Sequence, residues 1–102
     1  MLEITINREQ KDALDALAYR IADNNYMIER YGRAEVAVEL AENHGHIVRL
    51  FDALDALGVP YWTQNAVMGW AENWRRYKEG DWLHDLNSSG YSITLASSSA
   101  AA

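Results

Sequence analysis

The chain has 102 residues, of which 49% are hydrophobic, and it carries a formal net charge of −6 with no cysteine. This length predicts a single domain. The lack of cysteine excludes disulfides, thiolate metal ligands and a cysteine nucleophile. A negative net charge is the reverse of the basic surface of DNA- and RNA-binding domains, so we expect neither direct nucleic-acid binding nor binding to an anionic membrane.

The first ten residues lack the basic region followed by an apolar run that marks a signal peptide. No uncharged apolar run in the sequence is long enough to cross a bilayer. Together with the missing cysteines, these features lead us to expect a cytoplasmic protein.

The chain opens on a strand pattern that is followed by a helical pattern. Alternating residues predict a strand at Leu2–Ile6. Asn7 and Gln10 have the spacing of a capping box, which opens a helix that we expect to end near residues 24–25. The next segment, residues 25–33, predicts a short helical turn.

A second long helical pattern covers residues 34–57. Its period continues across Gly45, so the pattern allows either one helix with a weak point or two helices that meet at His44–His46. Gly58 and Pro60 predict a firm stop, because glycine closes helices and proline cannot continue one.

The segment 61–79 contains three of the four tryptophans and predicts a third long helix. A projection at 100° per residue places most of its aromatic residues in one arc. That apolar arc contains Trp62, Ala66, Val67, Trp70, Trp74 and Tyr77. Arg75 and Arg76 lie on the opposite face, at helical spacing to Glu79 and Glu72. The segment therefore favours the core face of an amphipathic helix over a nucleic-acid surface.

The end of the chain predicts a short helix at Trp82–Leu86 and a second strand at Tyr91–Leu95. This strand has a natural partner in the N-terminal strand, and we expect the pair to be antiparallel. The predicted fold is mainly α: a compact bundle of three to five helices with a small two-stranded sheet formed by the N- and C-terminal strands. Residues 1–95 form the predicted helical domain, and 96–102 form a low-complexity flexible tail.

The histidines do not have the spacing of a metal site. His44 and His46 are two residues apart, so their rings point to nearly opposite sides of a helix, whereas helical zinc sites use i, i+4 spacing. We expect His44 in the apolar seam of its helix and His46 at the surface. No nucleophile or phosphate-binding motif occurs. The sequence thus predicts no enzymatic activity, no metal and no cofactor.

The second helical pattern has an acidic side that contains Glu35, Glu39 and Glu42. Like charges four residues apart on a helix cost about 0.2–0.5 kcal/mol when nothing relieves them. One interpretation is a well-solvated helix surface. The functional interpretation is a surface for a basic protein partner, because complementary charge speeds association and selects partners.

Six tyrosines and four tryptophans are more than a core of this size needs. Tyrosine and tryptophan are favoured at protein interfaces, since they combine a large apolar area with a polar group. Trp62 and Trp82 lie near predicted helix ends and are expected to be exposed. We therefore predict a partner-binding surface that contains Glu35, Glu39, Glu42, Trp62 and Trp82.

These features favour a small acidic protein-interaction module. In size, charge and lack of catalytic motifs, the chain is similar to accessory proteins encoded by phages and other mobile elements, including inhibitors of host nucleic-acid-targeting systems. The similarity implies inhibition or modulation of a basic, nucleic-acid-handling host protein, and it assigns no residue a role.

Three alternatives stay open. One is a helical nucleic-acid-binding protein that uses Arg75, Arg76 and Lys78. Another is a structural or assembly component whose aromatic residues serve self-association. The third is a small enzyme or ligand-binding domain with His44 or His84 beside an aromatic pocket.

Overall fold

The computed structural model describes residues 2–96, which form five helices and two strands. The order of the elements is β1 (Glu3–Ile6), α1 (Arg8–Tyr31), α2 (Ala37–Ala56), α3 (Tyr61–Ala71), α4 (Trp74–Glu79), α5 (Trp82–Ser88) and β2 (Ser92–Leu95). The predicted mainly α fold, with a sheet formed by the terminal strands, is confirmed.

Helix α1 begins at the predicted capping box and ends later than predicted. The Gln10 N–H donates to Asn7 Oδ1 and the Asn7 N–H donates to Gln10 Oε1, each at 2.8 Å. The predicted end at residues 24–25 is wrong, because α1 continues to Tyr31. Asparagine is a weak helix former, but tertiary contacts override this preference: Asn25 Nδ2 donates to the carbonyl of Glu72 at 2.8 Å.

Helix α2 is continuous through Gly45, which settles the question that the sequence left open. It begins at Ala37 rather than at residue 34, because residues 33–36 form a turn. Buried Asn43 joins α2 to α1: its Nδ2 donates to the carbonyl of Arg20 at 2.8 Å, and its Oδ1 accepts from Arg20 Nη1 at 3.3 Å.

The third predicted helix is broken into α3 and α4. Asn73 has an extended backbone, and its side chain accepts from the Arg75 N–H, so it caps a new helix instead of continuing the old one. The predicted apolar arc holds in α3, where Val67 and Trp70 are buried. It weakens in α4, where Tyr77 is exposed.

The core lies where α1, α3, α5 and the sheet meet, and the inner side of α2 closes it. Its buried members are Ile6, Leu14, Leu17, Ala18, Ile47, Leu54, Val59, Val67, Trp70, Ala71, Trp82, Leu86 and Ile93.

The two strands pair in parallel, so the antiparallel prediction is wrong. A parallel pair needs a long crossover, and the five helices between β1 and β2 supply it. The register places Ile4 beside Ile93, and both strands turn apolar side chains toward the core. Ala96, the first residue of the predicted tail, extends the ladder through an N–H bond to the carbonyl of Ile6 at 2.7 Å. The rest of that tail lies outside the described residues.

Within residues 2–96, no helix combines the length and the apolar character that a membrane crossing requires.

Candidate interaction surface

Helix α2 has one buried side and one solvent-exposed side. It packs chiefly against α1 and only slightly against α3. Its buried side chains are Asn43, Ile47 and Leu54. Most of the remaining residues of α2 therefore face solvent along the helix.

Three carboxylates of this exposed side form the acidic face, which we define as Glu35, Glu39 and Glu42. Glu35 lies in the turn before α2, and the other two lie in the first turns of the helix. All three are exposed, and none forms an ion pair with another residue in the range 2–96. Glu39 also interacts favourably with the N-terminus of α2, where Val36 provides no side-chain cap.

An apolar row runs beside the acidic face. We call Val38, Ala41, Gly45 and Val48 the valine row, because their spacing places them on one side of α2. Val38 is 67% exposed and Val48 is 44% exposed, and a Cβ at Gly45 would meet no atom within 4 Å. Glu42 lies one turn after Val38, so the two side chains are neighbours. The arrangement offers an apolar contact next to unpaired negative charge.

The predicted exposure of Trp82 is wrong. Trp82 is only 4% exposed, its indole N–H donates to Asp15 Oδ1 at 2.7 Å, and Lys11 Nζ lies 5.5 Å from the ring centre. The sequence placed it near the end of a short helix, but that helix packs its first turn into the core. Trp82 therefore serves as an anchor for α5 and is not available to a partner.

Trp62 is partly buried because Tyr91 stacks on it, with ring centres 5.7 Å apart and planes 5° apart. The preceding residue, Tyr61, is 77% exposed, more than any other large apolar side chain of residues 2–96. Sequence reasoning missed Tyr61. Its position directly after Pro60, at the first turn of α3, is the signal that could have identified it.

The histidines lie apart from one another. His44 and His46 are exposed on α2, and His84 is exposed on α5. The prediction that His44 occupies the apolar seam is wrong, because Asn43 holds the buried position between α1 and α2. In the described part of the chain, no group of three histidine, aspartate or glutamate side chains is placed to hold a metal ion.

One cation of the predicted nucleic-acid cluster, Arg75, is already paired with a carboxylate. Arg75 forms a bidentate ion pair with Glu29 of α1, and the Trp74 indole N–H donates to the same carboxylate at 2.7 Å. The hydrogen bond from Arg75 holds the pKa of Glu29 below its usual value. This partner replaces Glu79, which helical spacing had suggested. Only Arg76 and Lys78 of the cluster remain without an ion pair among residues 2–96.

Two surface clefts bear on ligand binding. One, of about 630 Å³, lies between α3 and α5 and contains Arg76 and Asp85, but the Asp85 carboxylate already accepts the Trp70 indole N–H at 2.8 Å. The other, of about 250 Å³, lies between α1 and α4 and is lined by Tyr19, Tyr26, Ala22, Asp23, Trp74, Tyr77 and Lys78. No histidine lines either cleft. The predicted pairing of a histidine with an aromatic pocket is therefore not found at these two places.

Comparisons with protein-family models, with curated proteins and with solved structures find no match for this chain.

Proposed function

We propose that this protein is a non-enzymatic interaction module that binds a basic protein partner through the acidic face and the neighbouring Val38. One observation carries the proposal: three unpaired, exposed carboxylates lie beside a valine that is 67% exposed, on the free side of a helix.

Charge and apolar area have different roles in such a contact. Unpaired carboxylates raise the association rate and select a partner with complementary charge. A buried apolar residue at the centre of an interface contributes more to affinity, and covering Val38 would contribute about 1–2 kcal/mol. The acidic face borders the apolar residue on one side, as the polar rim of a protein interface borders its apolar centre.

The chemistry of the acidic face favours a partner that handles nucleic acid. Such proteins hold phosphates through lysine and arginine side chains. Carboxylates spaced along a helix offer those side chains an alternative set of anions. Binding there would block or modulate the partner, which is the mode of action that the likeness to phage accessory proteins implies.

Affinity capture from the source cells tests the proposal with two variants of equal charge. In the first, Glu35, Glu39 and Glu42 are replaced by Gln. In the matched control, the exposed residues Glu9, Glu72 and Glu79 are replaced by Gln, which removes the same three charges elsewhere.

We expect the wild-type protein and the control variant to retain the same basic protein, and the first variant to lose it. Equal retention by both variants would show that the acidic face has no part in binding. Circular dichroism of each variant confirms that the helices remain folded.

A further inference from the structure

The two edges of the small sheet differ in their hydrogen bonding. The Ser92 N–H donates to the carbonyl of Leu2 at 3.0 Å, and the Ala96 N–H donates to that of Ile6 at 2.7 Å. Backbone groups of successive strand residues point to opposite sides. Glu3 and Thr5 therefore direct their N–H and C=O groups away from β2.

The outer edge of β2 is capped at Ile93 by a side chain. The Ile93 N–H donates to Asn87 Oδ1 at 2.7 Å, and Asn87 Nδ2 donates to the carbonyl of Ile93 at 2.9 Å. The carboxamide thus takes both bonds that a neighbouring strand residue would make. This cap blocks another chain from pairing with β2 at Ile93.

The outer edge of β1 is open. Among residues 2–96, neither the N–H nor the C=O of Glu3 or Thr5 has a hydrogen-bond partner, and both residues are exposed. A parallel sheet of two strands is small for its kind, because parallel sheets are normally larger and covered. Leu2, which precedes β1, is 49% exposed.

We propose that β1 pairs antiparallel with β1 of a second copy of this chain, which joins the two small sheets into one sheet of four strands. The twofold axis passes beside Ile4, so that Glu3 lies opposite Thr5 of the partner subunit. In this register Glu3 and Thr5 are hydrogen-bonded pairs, and all the outward backbone groups of both strands are satisfied. Such an interface is self-complementary, as twofold symmetry requires.

Side-chain chemistry favours a second copy as the occupant. Leu2 and Ile4 lie on the core-facing side of the strand, and the register places Leu2 opposite Ile6 of the partner subunit. Ile6 is fully buried in its own core, so it is the neighbouring strand of the partner, and not that side chain, that covers one side of the exposed leucine. On the outer side, Glu3 lies opposite a threonine, whereas a register with Glu3 opposite Glu3 would oppose like charges.

Cysteine cross-linking tests the register, since the chain has no cysteine of its own. Residues opposite each other at the axis form a non-hydrogen-bonded pair with Cα atoms about 4.5 Å apart, within the range that a disulfide spans. We expect Ile4→Cys to form disulfide-linked dimers under mild oxidation, and Thr5→Cys, on the same strand, to form few because its two copies lie out of register. Equal cross-linking of the two variants, or none, would overturn the register.

Charge variants test the equilibrium of the full-length protein by analytical ultracentrifugation over a concentration series. Thr5→Lys places a cation opposite Glu3 and should tighten the dimer about 2- to 10-fold, whereas Thr5→Glu should weaken it by a similar factor. The same changes at Thr94, which is exposed on β2 and one strand away from the axis, are the matched controls. A wild-type protein that stays monomeric at every concentration would overturn the proposal. The same monomer is expected if β1 pairs with a strand of a different protein, so this result also covers that alternative. So would equal effects at Thr5 and Thr94.

Discussion

The carboxylates next to the tryptophans and those on the outer side of α2 differ in their bonding partners. Three indole N–H groups each donate to a carboxylate: Trp70 to Asp85 and Trp82 to Asp15 beside the core, and Trp74 to Glu29 at the surface. On α2, the three carboxylates of the acidic face have no ion-pair partner within residues 2–96. The comparison shows two groups of carboxylates: one accepts hydrogen bonds from tryptophans, and the other is exposed at the surface without an ion pair.

Removal of an indole is the strongest test of the structural role of the tryptophan–carboxylate pairs. Trp82→Ala should lower the free energy of unfolding by about 3–5 kcal/mol, because it leaves a cavity in the core and removes the partner of Asp15. Denaturant unfolding followed by circular dichroism measures the change. As a control, Val38→Ala should change stability by less than about 0.5 kcal/mol. Similar losses of unfolding free energy for both variants would contradict the contrast between the buried Trp82 and the exposed outer side of α2.

Removal of a carboxylate should have a smaller effect that differs between the two regions. Asp85→Ala leaves the buried Trp70 indole N–H without its acceptor, which should cost about 1–3 kcal/mol. Glu42→Ala should cost less than about 0.5 kcal/mol, since that side chain is exposed and unpaired. The same denaturation experiment measures both, and equal costs would show that the indole–carboxylate bonds do not stabilise the fold.

The pH dependence of stability measures the contribution of the ionised Glu29 carboxylate. Arg75 lowers the pKa of this carboxyl in the folded protein, so the ionised form stabilises the fold above the pKa of the unfolded chain. That contribution is lost as the pH falls through the lowered, folded-state pKa. The stability difference between the wild type and Glu29→Gln should thus be present at neutral pH and vanish in acid.

The control for this pH effect is the same substitution in an Arg75→Ala background. Without the guanidinium, the pH-dependent stability difference caused by Glu29→Gln should become smaller, and what remains should come from the Trp74 indole N–H, which also lowers the pKa of Glu29. A pH-dependent difference of undiminished size in this background would show that Arg75 is not the main cause of the lowered pKa of Glu29.

Local features of the sequence predicted local structure well. The capping box at Asn7 and Gln10 marks the start of α1, and the alternation at both ends marks the strands. Periodicity also identified the buried side of α3 around Val67 and Trp70. These features depend on residues a few positions apart, whose relation is fixed by the helix or strand itself.

The remaining features depend on contacts between distant segments, which periodicity does not encode. Asn25 reaches the carbonyl of Glu72, where the helix breaks between α3 and α4. Trp82 packs into the core, where Asp15, far away in sequence, accepts its indole N–H. Of the predicted contact residues, the three of the acidic face are exposed, while Trp62 is partly covered by Tyr91.

The salt dependence of partner binding tests the central claim most directly. For the protein retained by affinity capture, the dissociation constant is measured over a series of salt concentrations with the wild type, the acidic-face Gln variant and the Glu9, Glu72 and Glu79 control. We expect the wild type and the control to share one affinity and one steep salt dependence, and the acidic-face variant to bind more weakly with a shallower dependence. Identical affinities and salt dependences for all three proteins would contradict binding through the acidic face.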